Sequence, residues 1–280
     1  MRSLERRALR SRIENVDNLP TISGTLKRLL EALQNPRISL GEIGAFIAND
    51  PALTTRVLRM VNSPIYGFPR RISSVKQGVI LLGINVVKGL LLGVSVFDLI
   101  QKGMAGLWEH SMACGIAARL IAQERGLKEP EEVSAAGLLH DMGKVMLALK
   151  FREEYGQIIM DAKGSGMTIF AAEKEFFQIT HADAGTWIGQ KWNFPQTLLD
   201  VIAHHHDPSS ARTAPLETAI VHVADVLVRA RGFGFAGDGV VQPVSVAAWE
   251  MLSLSEGAIT RILRETEEFL EETKELFSEF

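Results

Sequence analysis

The stretch from Ala135 to Lys144 constrains the fold more than any other part of the sequence. An apolar run ending at Leu139 is followed directly by His140 and Asp141, and then by a glycine and Lys144. Polar groups that follow such a run are buried with it, and burying an imidazole and a carboxylate without partners costs several kcal/mol. The rest of the chain must therefore bring other polar groups, or a cation, to this dipeptide.

Further histidines and one acid are available elsewhere in the chain to meet this need. In chain order these candidate ligands are His110, His181, His205, His206 and Asp225. Imidazole and carboxylate groups together suit first-row metals such as iron, manganese or zinc. A carboxylate next to a histidine can also bridge two ions, as in two-metal hydrolytic sites. The sequence therefore predicts a site for one or two divalent metal ions.

Three other potential ligands are predicted to have structural roles or to be exposed. His222 is expected to be a core histidine, and His204 an exposed neighbour of the paired histidines. The only cysteine, Cys114, lies four residues after His110 and shares its helical face, and we expect a buried small hydrophobic side chain there rather than a ligand. A single cysteine excludes an internal disulfide framework and fits a reducing cytoplasm.

Local signals in the sequence are those of helices. Ser39 and Glu42 form a capping box, and Asp50 before a proline is a strong helix start. A long helix is predicted from Met104 to Gln123, and an amphipathic one from about Ser255 to Phe280, which packs on the body or pairs with a second copy. No segment shows convincing strand alternation, so the fold class is predicted to be all-α.

Three parts of the chain are distinguished. Residues 1–100 form an N-terminal helical part, residues 101–232 a helical core with the candidate site, and residues 233–280 a glycine-rich loop with the C-terminal helix. The loop is expected to be mobile or a linker. No secretory signal opens the chain, and the apolar segment 79–97 is interrupted by Asn85 and Lys88, which favours two short buried helices over a membrane span. A cytoplasmic location is expected.

The charge distribution is uneven. Residues 1–100 carry 14 basic and 7 acidic groups, whereas residues 101–280 carry 16 basic and 26 acidic groups. Such asymmetry is compatible with an acidic partner for the front part, but no basic stripe interleaved with aromatic residues and no zinc finger accompanies it. Nucleic acid is therefore not the expected partner, and a DNA-binding regulator is the weakest of the functional hypotheses.

The order of the candidate ligands resembles that of the HD superfamily of metal-dependent phosphohydrolases, in particular its HD-GYP branch. The resemblance implies that Asp141 bridges two ions and that Lys144 reaches a substrate phosphate, so that Asp141 and Lys144 are the candidate catalytic residues. It also favours Fe or Mn, with Zn possible. The implied ligands are His110, His140, Asp141 and Asp225 for one ion, and Asp141, His181, His205 and His206 for the other.

A second resemblance is more specific and covers roughly residues 15–215. The segments Asp50–Leu53, Val57–Arg59, Asn62–Gly67, Ile72–Val75 and Ile80–Gly83 resemble the hallmark of the HDOD family, the HD-related output domain of bacterial signalling proteins. This resemblance implies an all-α, multi-helix bundle of the HDOD or HD type. Read only from their chemistry, the same residues are mainly helix caps and turns.

Departures from the enzyme pattern separate metal binding from catalysis. HD-GYP enzymes carry a Gly-Tyr-Pro segment after the paired histidines, and residues 208–215 lack it. Gly106 stands where three-metal members place a glutamate. We therefore expect a signalling module that binds metal and acts through a signalling protein or a small nucleotide-like ligand, with a homodimer through the C-terminal helix as one arrangement. The alternative is a phosphohydrolase acting on a nucleotide or phosphodiester.

Overall fold

The computed structural model describes residues 2–15, 32, 35, 38–63, 65–68, 70–83, 86–87 and 104–277. All regular structure in these ranges is helical, which confirms the predicted fold class. The helices are α1 (Arg2–Glu14), α2 (Leu40–Ala48), α3 (Pro51–Val61), α4 (75–83), α5 (Leu107–Glu124), α6 (Pro130–Leu139), α7 (Met142–Lys150), α8 (Arg152–Ser165), α9 (Ile169–Phe176), α10 (His181–Lys191), α11 (Gln196–His204), α12 (Pro215–Arg231), α13 (Val246–Leu252) and α14 (Glu256–Phe277).

Capping chemistry sets several helix ends as the sequence predicts. The Ser39 hydroxyl accepts the backbone N–H of Glu42 while the Glu42 carboxylate accepts that of Ser39, and the Asp50 carboxylate accepts the N–H of Leu53. At the end of α5, Gly126 adopts φ +68°, a left-handed conformation that glycine tolerates without strain. These caps satisfy amides and carbonyls that a helix end leaves free.

Helix α5 is the centre of the bundle, with 15 of its 18 residues buried. Helices α6, α12 and α14 pack on it. The crossing of α5 and α6 is close because both helices present glycine there: a Cβ on Gly137 would lie 2.8 Å from the carbonyl oxygen of Cys114, and one on Gly115 would lie 3.1 Å from that of Ser134. This close approach brings His110 on α5 near the end of α6.

A second glycine crossing joins α7 to α10. A Cβ on Gly143 would lie only 1.8 Å from the carbonyl oxygen of His181 and 2.7 Å from the amide nitrogen of Gly185. Helix α1 in turn packs on α10 and α7. The starts of α7 and α10 are therefore held together at backbone distance, next to the central dipeptide.

The glycine-rich segment after α12 is anchored to the bundle, although the sequence suggests a mobile loop or linker. The amide of Phe235 donates to the carbonyl of Gly106, and Gly234, at φ +69°, lies so close to the start of α5 that a Cβ would be 2.3 Å from the amide nitrogen of His110. Short helix α13, not predicted from the sequence, follows this segment. Helix α14 then packs its apolar face, including Ile262 and Leu270, on the body of the protein.

Much of the apolar segment 79–97 lies outside the described residues. Within the described part of this region, residues 75–83 and 86–87 are helical. Among the helices that the structure describes, none combines the length and the apolar character needed to cross a membrane.

Candidate metal centre

The seven side chains predicted as metal ligands meet in one cluster between six helices. Helix α5 supplies His110, the junction of α6 and α7 supplies His140 and Asp141, and α10 begins with His181. The end of α11 supplies the paired histidines, and α12 supplies the second acid. All are buried except His206, which is half-buried. The residues brought together are His110, His140, Asp141, His181, His205, His206 and Asp225.

The donor atoms fall into two sets with the spacing of metal ligands. In each set, one donor atom from every residue lies within 4.8 Å of all the others. The first set, which we call the thiol set, is His110, Cys114, His140 and Asp225. The second, which we call the imidazole set, is Asp141, His181, His205 and His206.

The imidazole set has contact distances that suit a four-coordinate ion. His181 Nε2 lies 3.3 Å from His205 Nε2, 2.9 Å from His206 Nε2 and 3.3 Å from Asp141 Oδ1. Donor atoms bound tetrahedrally at about 2.1 Å lie roughly 3.4 Å apart. The four donors are therefore already near the separations that a bound ion would impose.

The orientation of three imidazoles is fixed from outside the cluster. The Nδ1–H groups of His140 and His205 donate to the backbone carbonyls of Gly137 and Ile202, at 2.7 and 2.9 Å. His181 Nδ1 lies 2.7 Å from a carboxylate oxygen of Glu173. Because a carbonyl can only accept, Nδ1 carries the proton in the neutral forms of His140 and His205, and in these forms the Nε2 lone pair faces inward. Such outer partners are usual around metal-bound histidines.

Glu173 is a part of the site that the sequence does not reveal. Its carboxylate is fully buried and accepts the backbone N–H of His181 at 2.7 Å and the Tyr155 hydroxyl at 2.6 Å, besides facing the His181 ring. Burial and the neighbouring Glu173 carboxylate raise the pKa of Tyr155 well above its usual value, so Tyr155 remains a neutral donor. Glu173 thus holds both the backbone and the ring of His181.

Two buried polar atoms at the centre have no hydrogen-bond partner. They are Nε2 of His140, which faces the thiol set, and Oδ1 of Asp141, which faces the imidazole set. An unsatisfied buried donor or acceptor costs about 1–3 kcal/mol, so such atoms are rare without a reason. A nitrogen and a carboxylate oxygen that both face other potential ligands are suited to binding a cation. The residues present therefore fit a metal ion.

Both acids of the cluster are also paired with buried cations of the protein. Asp141 Oδ2 accepts from Lys144 Nζ at 2.6 Å, and Asp225 Oδ1 accepts from Arg229 Nε at 3.0 Å. Burial alone would raise the two carboxyl pKa values, but His140 and Lys144 lower the pKa of Asp141, and Arg229 lowers that of Asp225, to well below the usual range. Both groups are therefore carboxylates over the whole neutral range.

Arg229 connects the cluster to the glycine-rich segment. Its Nη1 donates to Asp238 at 3.1 Å, and the buried Asp238 carboxylate also accepts the backbone N–H groups of Ile169 and Val240, each at 2.8 Å. The segment that follows α12 is thus tied to a ligand-bearing helix through one buried ion pair. Sequence spacing gives no sign of this pairing.

The imidazoles differ in the direction of their pKa shifts. Burial and the adjacent imidazoles lower the pKa values of His205 and His206 well below the usual value, and burial lowers that of His110. Burial opposes the charged form of His140 as well, but Asp141 and Asp225 outweigh it and raise its pKa. The pKa of the Cys114 thiol is raised well above its usual value by burial and by Asp225. Without a metal ion, the thiol is therefore protonated.

The two histidines that were left out of the ligand set lie apart from both donor sets. His222 is buried, its Nδ1 donating to the carbonyl of His205 at 2.7 Å and its Nε2 accepting the amide of Ser245 at 2.9 Å, as expected for a core histidine. His204 is about one-third exposed and faces Asp200 at 3.6 Å.

The segment that lacks the Gly-Tyr-Pro motif has a fixed conformation of its own. It begins with a 3₁₀ turn, Pro208–Ser210, and one oxygen of Asp200 accepts three backbone N–H groups beyond Ala211 at 2.7–2.9 Å. The donors are Arg212, Thr213 and Ala214. In this segment the backbone N–H groups are therefore used in local hydrogen bonds.

An all-helical bundle that gathers histidines around a His-Asp dipeptide defines a protein related to the HD superfamily. The sequence profile of the HDOD domain matches residues 19–208. The chain belongs to the HDOD family, as the sequence motifs predict.

Known proteins resemble this chain over different shares of its length. An uncharacterised protein of Treponema pallidum is 25% identical over 198 residues, which are 69% of this chain and 39% of that protein, so the chain spans about two fifths of that relative's length. A solved HDOD domain protein of unknown function from Geobacter sulfurreducens is 28% identical, with a TM-score of 0.71 and coverage of 98% and 97%. A Marinobacter aquaeolei structure, described as a candidate signal transduction protein, is 20% identical with a TM-score of 0.71, covering 98% of this chain and 65% of that one.

Proposed function

We propose that this chain is a cytoplasmic signalling output module of the HDOD type that holds one or two divalent metal ions and acts by binding a partner. The observation that carries the proposal is the buried convergence of seven potential ligands with two unsatisfied atoms among them. Bound there, a divalent cation supplies positive charge and fixed geometry. Such a centre joins six helices at one point, so its occupancy affects their relative positions.

Enclosure of the cluster favours a sensing or structural role over turnover. Lys144, Asp141, His140 and His181 are each at most 1% exposed. The half-buried His206 is covered on one side by the Phe170 ring, with ring centroids 4.4 Å apart. A phosphate group could reach the centre only after these side chains moved, whereas a cation needs far less room.

Helix α1 offers a route from the cluster to the N-terminal part. Arg6 pairs with Asp183 on α10, and Lys191 at the end of α10 donates to the carbonyl of Glu14 at 2.5 Å. Arg12 donates to the carbonyl of Lys150 at the end of α7. Helices α7 and α10 both begin at the cluster, so a shift at their starts is transmitted along rigid helices to α1. We infer that metal occupancy biases the position of α1 and hence the surface offered to a partner.

Elemental analysis of protein purified without chelator tests metal binding, and hydrogen exchange tests the coupling. We expect metal loading to slow amide exchange in α10 and in α1, with little change in the middle of α14, which carries no ligand and does not begin or end at the cluster. The same loading applied to Asp141→Asn should leave α1 unchanged. Slower exchange in α10 with no response in α1 would refute the coupling while leaving metal binding intact.

The partner is proposed to be a signalling protein or a small nucleotide-like ligand. A homodimer through α14 is the other arrangement, although the apolar face of that helix already packs on the protein's own body. Sedimentation velocity on metal-free and metal-loaded protein separates the two: a dimer that forms in both states would favour the second arrangement.

A metal-dependent phosphohydrolase is the second candidate function, and the two oxygens of Asp141 favour it. Oδ1 faces the imidazole set, while Oδ2 lies 3.3 Å from His140 Nε2 and 3.6 Å from His110 Nε2 in the thiol set. A carboxylate with one oxygen toward each set is suited to bridging two ions, and Lys144 beside it is a positive charge suited to a phosphate. Anaerobic protein loaded with Mn²⁺ or Fe²⁺ that hydrolyses no member of a nucleotide and phosphodiester panel would exclude this function. Turnover that is lost in Lys144→Met would support it.

A further inference from the structure

Cys114 lies inside the cluster, where its sulfur is one of four donors around a common point. It follows His110 by one helical turn on α5, and its Sγ is 3.5 Å from His110 Nε2. Two ligands at i and i+4 share one helix face, as in other helical metal sites. The sulfur lies within 4.8 Å of the donor atoms of His140 and Asp225 as well. A buried cysteine alone would carry no inference, but this one completes a set.

An independent observation shows that one nitrogen of this set lacks a partner. Nε2 of His140 is fully buried, has no hydrogen-bond partner and faces the same point as the sulfur. His110 Nε2 lies 3.1 Å from Asp225 Oδ1, and His140 Nε2 lies 3.9 Å from the same oxygen. These separations bracket the value of about 3.4 Å expected between ligands of a tetrahedral ion.

Asp141 competes poorly with Cys114 for the same ion. Its Oδ2 is the oxygen nearer to the thiol set, and that oxygen is already bonded to the buried ammonium of Lys144 at 2.6 Å. Its unpartnered Oδ1 faces the imidazole set instead. An ion held by His110, His140 and Asp225 thus needs a fourth ligand other than Asp141. Among the described residues, the sulfur of Cys114 is the donor atom available there.

We propose that Cys114 is a metal ligand, and that His110, Cys114, His140 and Asp225 form a four-coordinate N₂SO site for a zinc-type ion. The proposal rests on the metal binding put forward above and changes its chemistry. On binding, the thiol loses its proton to solvent and the sulfur coordinates as thiolate. Thiolate ligation selects Zn²⁺ or Co²⁺ over Mn²⁺, whereas the imidazole set has no sulfur and is less selective.

Titration of the metal-free full chain with Co²⁺ under anaerobic conditions tests the proposal. Thiolate bound to Co²⁺ gives an intense charge-transfer band in the near ultraviolet, while tetrahedral Co²⁺ with any ligands gives weaker visible bands. The chain has a single cysteine, so a thiolate band in the wild-type protein can come only from Cys114. We expect this band to appear with the first or second equivalent of cobalt and to disappear when Zn²⁺ is added.

Two variants assign the band to the thiol set. Cys114→Ser should lose the charge-transfer band, keep cobalt in the imidazole set, and bind Zn²⁺ at the altered site at least tenfold more weakly, since even the loss of an outer partner costs 10–100-fold. His206→Gln should lose cobalt from the imidazole set and keep the band. If the serine variant misfolds by circular dichroism, Cys114→Ala takes its place, and the wild-type band still decides the question.

The possible results separate this proposal from the wider one. Visible cobalt bands without a thiolate band would overturn Cys114 as a ligand and leave metal binding in place. No cobalt binding of any kind would overturn both. A thiolate band that survives in Cys114→Ser would come from an added thiol in the buffer, and would likewise count against the proposal.

Discussion

Replacing Gly143 with alanine should destabilise the protein strongly, although helix propensity alone predicts the opposite. Gly143 is the second residue of α7 and has no positive φ, so its backbone tolerates alanine, which favours helices over glycine by about 1 kcal/mol. The added Cβ, however, would lie 1.8 Å from the carbonyl oxygen of His181, where ordinary contact begins at 3.4 Å. Helices α7 and α10 would have to separate locally by roughly 1.5 Å.

The magnitude follows from what the separation breaks. Overpacking a rigid core costs about 1–3 kcal/mol when side chains can adjust, and here the obstacle is backbone. Moving α10 away also carries His181 away from Asp141 Oδ1, now at 3.3 Å, and strains the bonds from Glu173. We expect Gly143→Ala to lose about 3 kcal/mol or more of unfolding free energy and to lose metal from the imidazole set.

Gly156→Ala is the matched control, because Gly156 lies inside α8 with nothing within 4 Å of its added Cβ. It should gain about 0.5–1 kcal/mol through helix propensity and the restricted unfolded chain. Urea unfolding of metal-free protein, followed by circular dichroism and tryptophan fluorescence, measures both. A Gly143→Ala midpoint equal to or above the wild-type midpoint, with Gly156→Ala behaving as expected, would refute the close crossing of α7 and α10.

Three further predictions concern the surroundings of the cluster. Glu173→Gln should lower the metal affinity of the imidazole set about 10–100-fold because His181 loses its charged outer partner, as measured by chelator competition; unchanged affinity would argue that Glu173 serves only the fold. Arg229→Met should cost the metal-free protein about 3–5 kcal/mol by leaving Asp225 unpaired, and added Zn²⁺ should recover part of the loss in thermal unfolding; no rescue would speak against metal near Asp225. Metal-free protein should lose stability as pH falls below about 6.5. His110, His205 and His206 have lowered folded pKa values, so unfolding takes up protons there, at about 1.4 kcal/mol per proton and pH unit. The raised pKa of His140 acts in the opposite direction and offsets part of this loss, and the carboxylates Asp141 and Asp225 extend the loss below pH 4. A flat stability profile between pH 7 and 5 would contradict the burial of neutral imidazoles.

The sequence predicts those features that depend on local chemistry or on the ligand order. Ser39 and Asp50 cap helices at the positions that their side chains predict. The convergence of the seven ligand positions is predicted from their order along the chain, which resembles that of the HD superfamily. By contrast, α5 begins at Leu107 rather than at Met104, since the glycine-rich segment packs against its start.

Contacts between distant elements could not be predicted in the same way. Glu173 holds His181, and Arg229 pairs with Asp238, only because of how the helices pack, and neither pair has a characteristic spacing. The sequence correctly predicts that Cys114 is buried, but it does not reveal the three donor atoms that lie near its sulfur. One signal was available: glycines inside apolar helical runs, such as Gly115 and Gly137, indicate backbone contact between helices.

The cations that neutralise the cluster explain how one site can serve a signalling module. Lys144 and Arg229 balance Asp141 and Asp225 without any metal, so the six helices can assemble around the centre before an ion arrives. A dipositive ion then binds next to two buried positive charges, and these repel it at close range in a medium of low dielectric constant. We therefore expect weaker binding than at a bare carboxylate site, and a shift of Lys144 and Arg229 when an ion binds. The first lies on α7, which packs on α1, and the second is tied to the glycine-rich segment through Asp238.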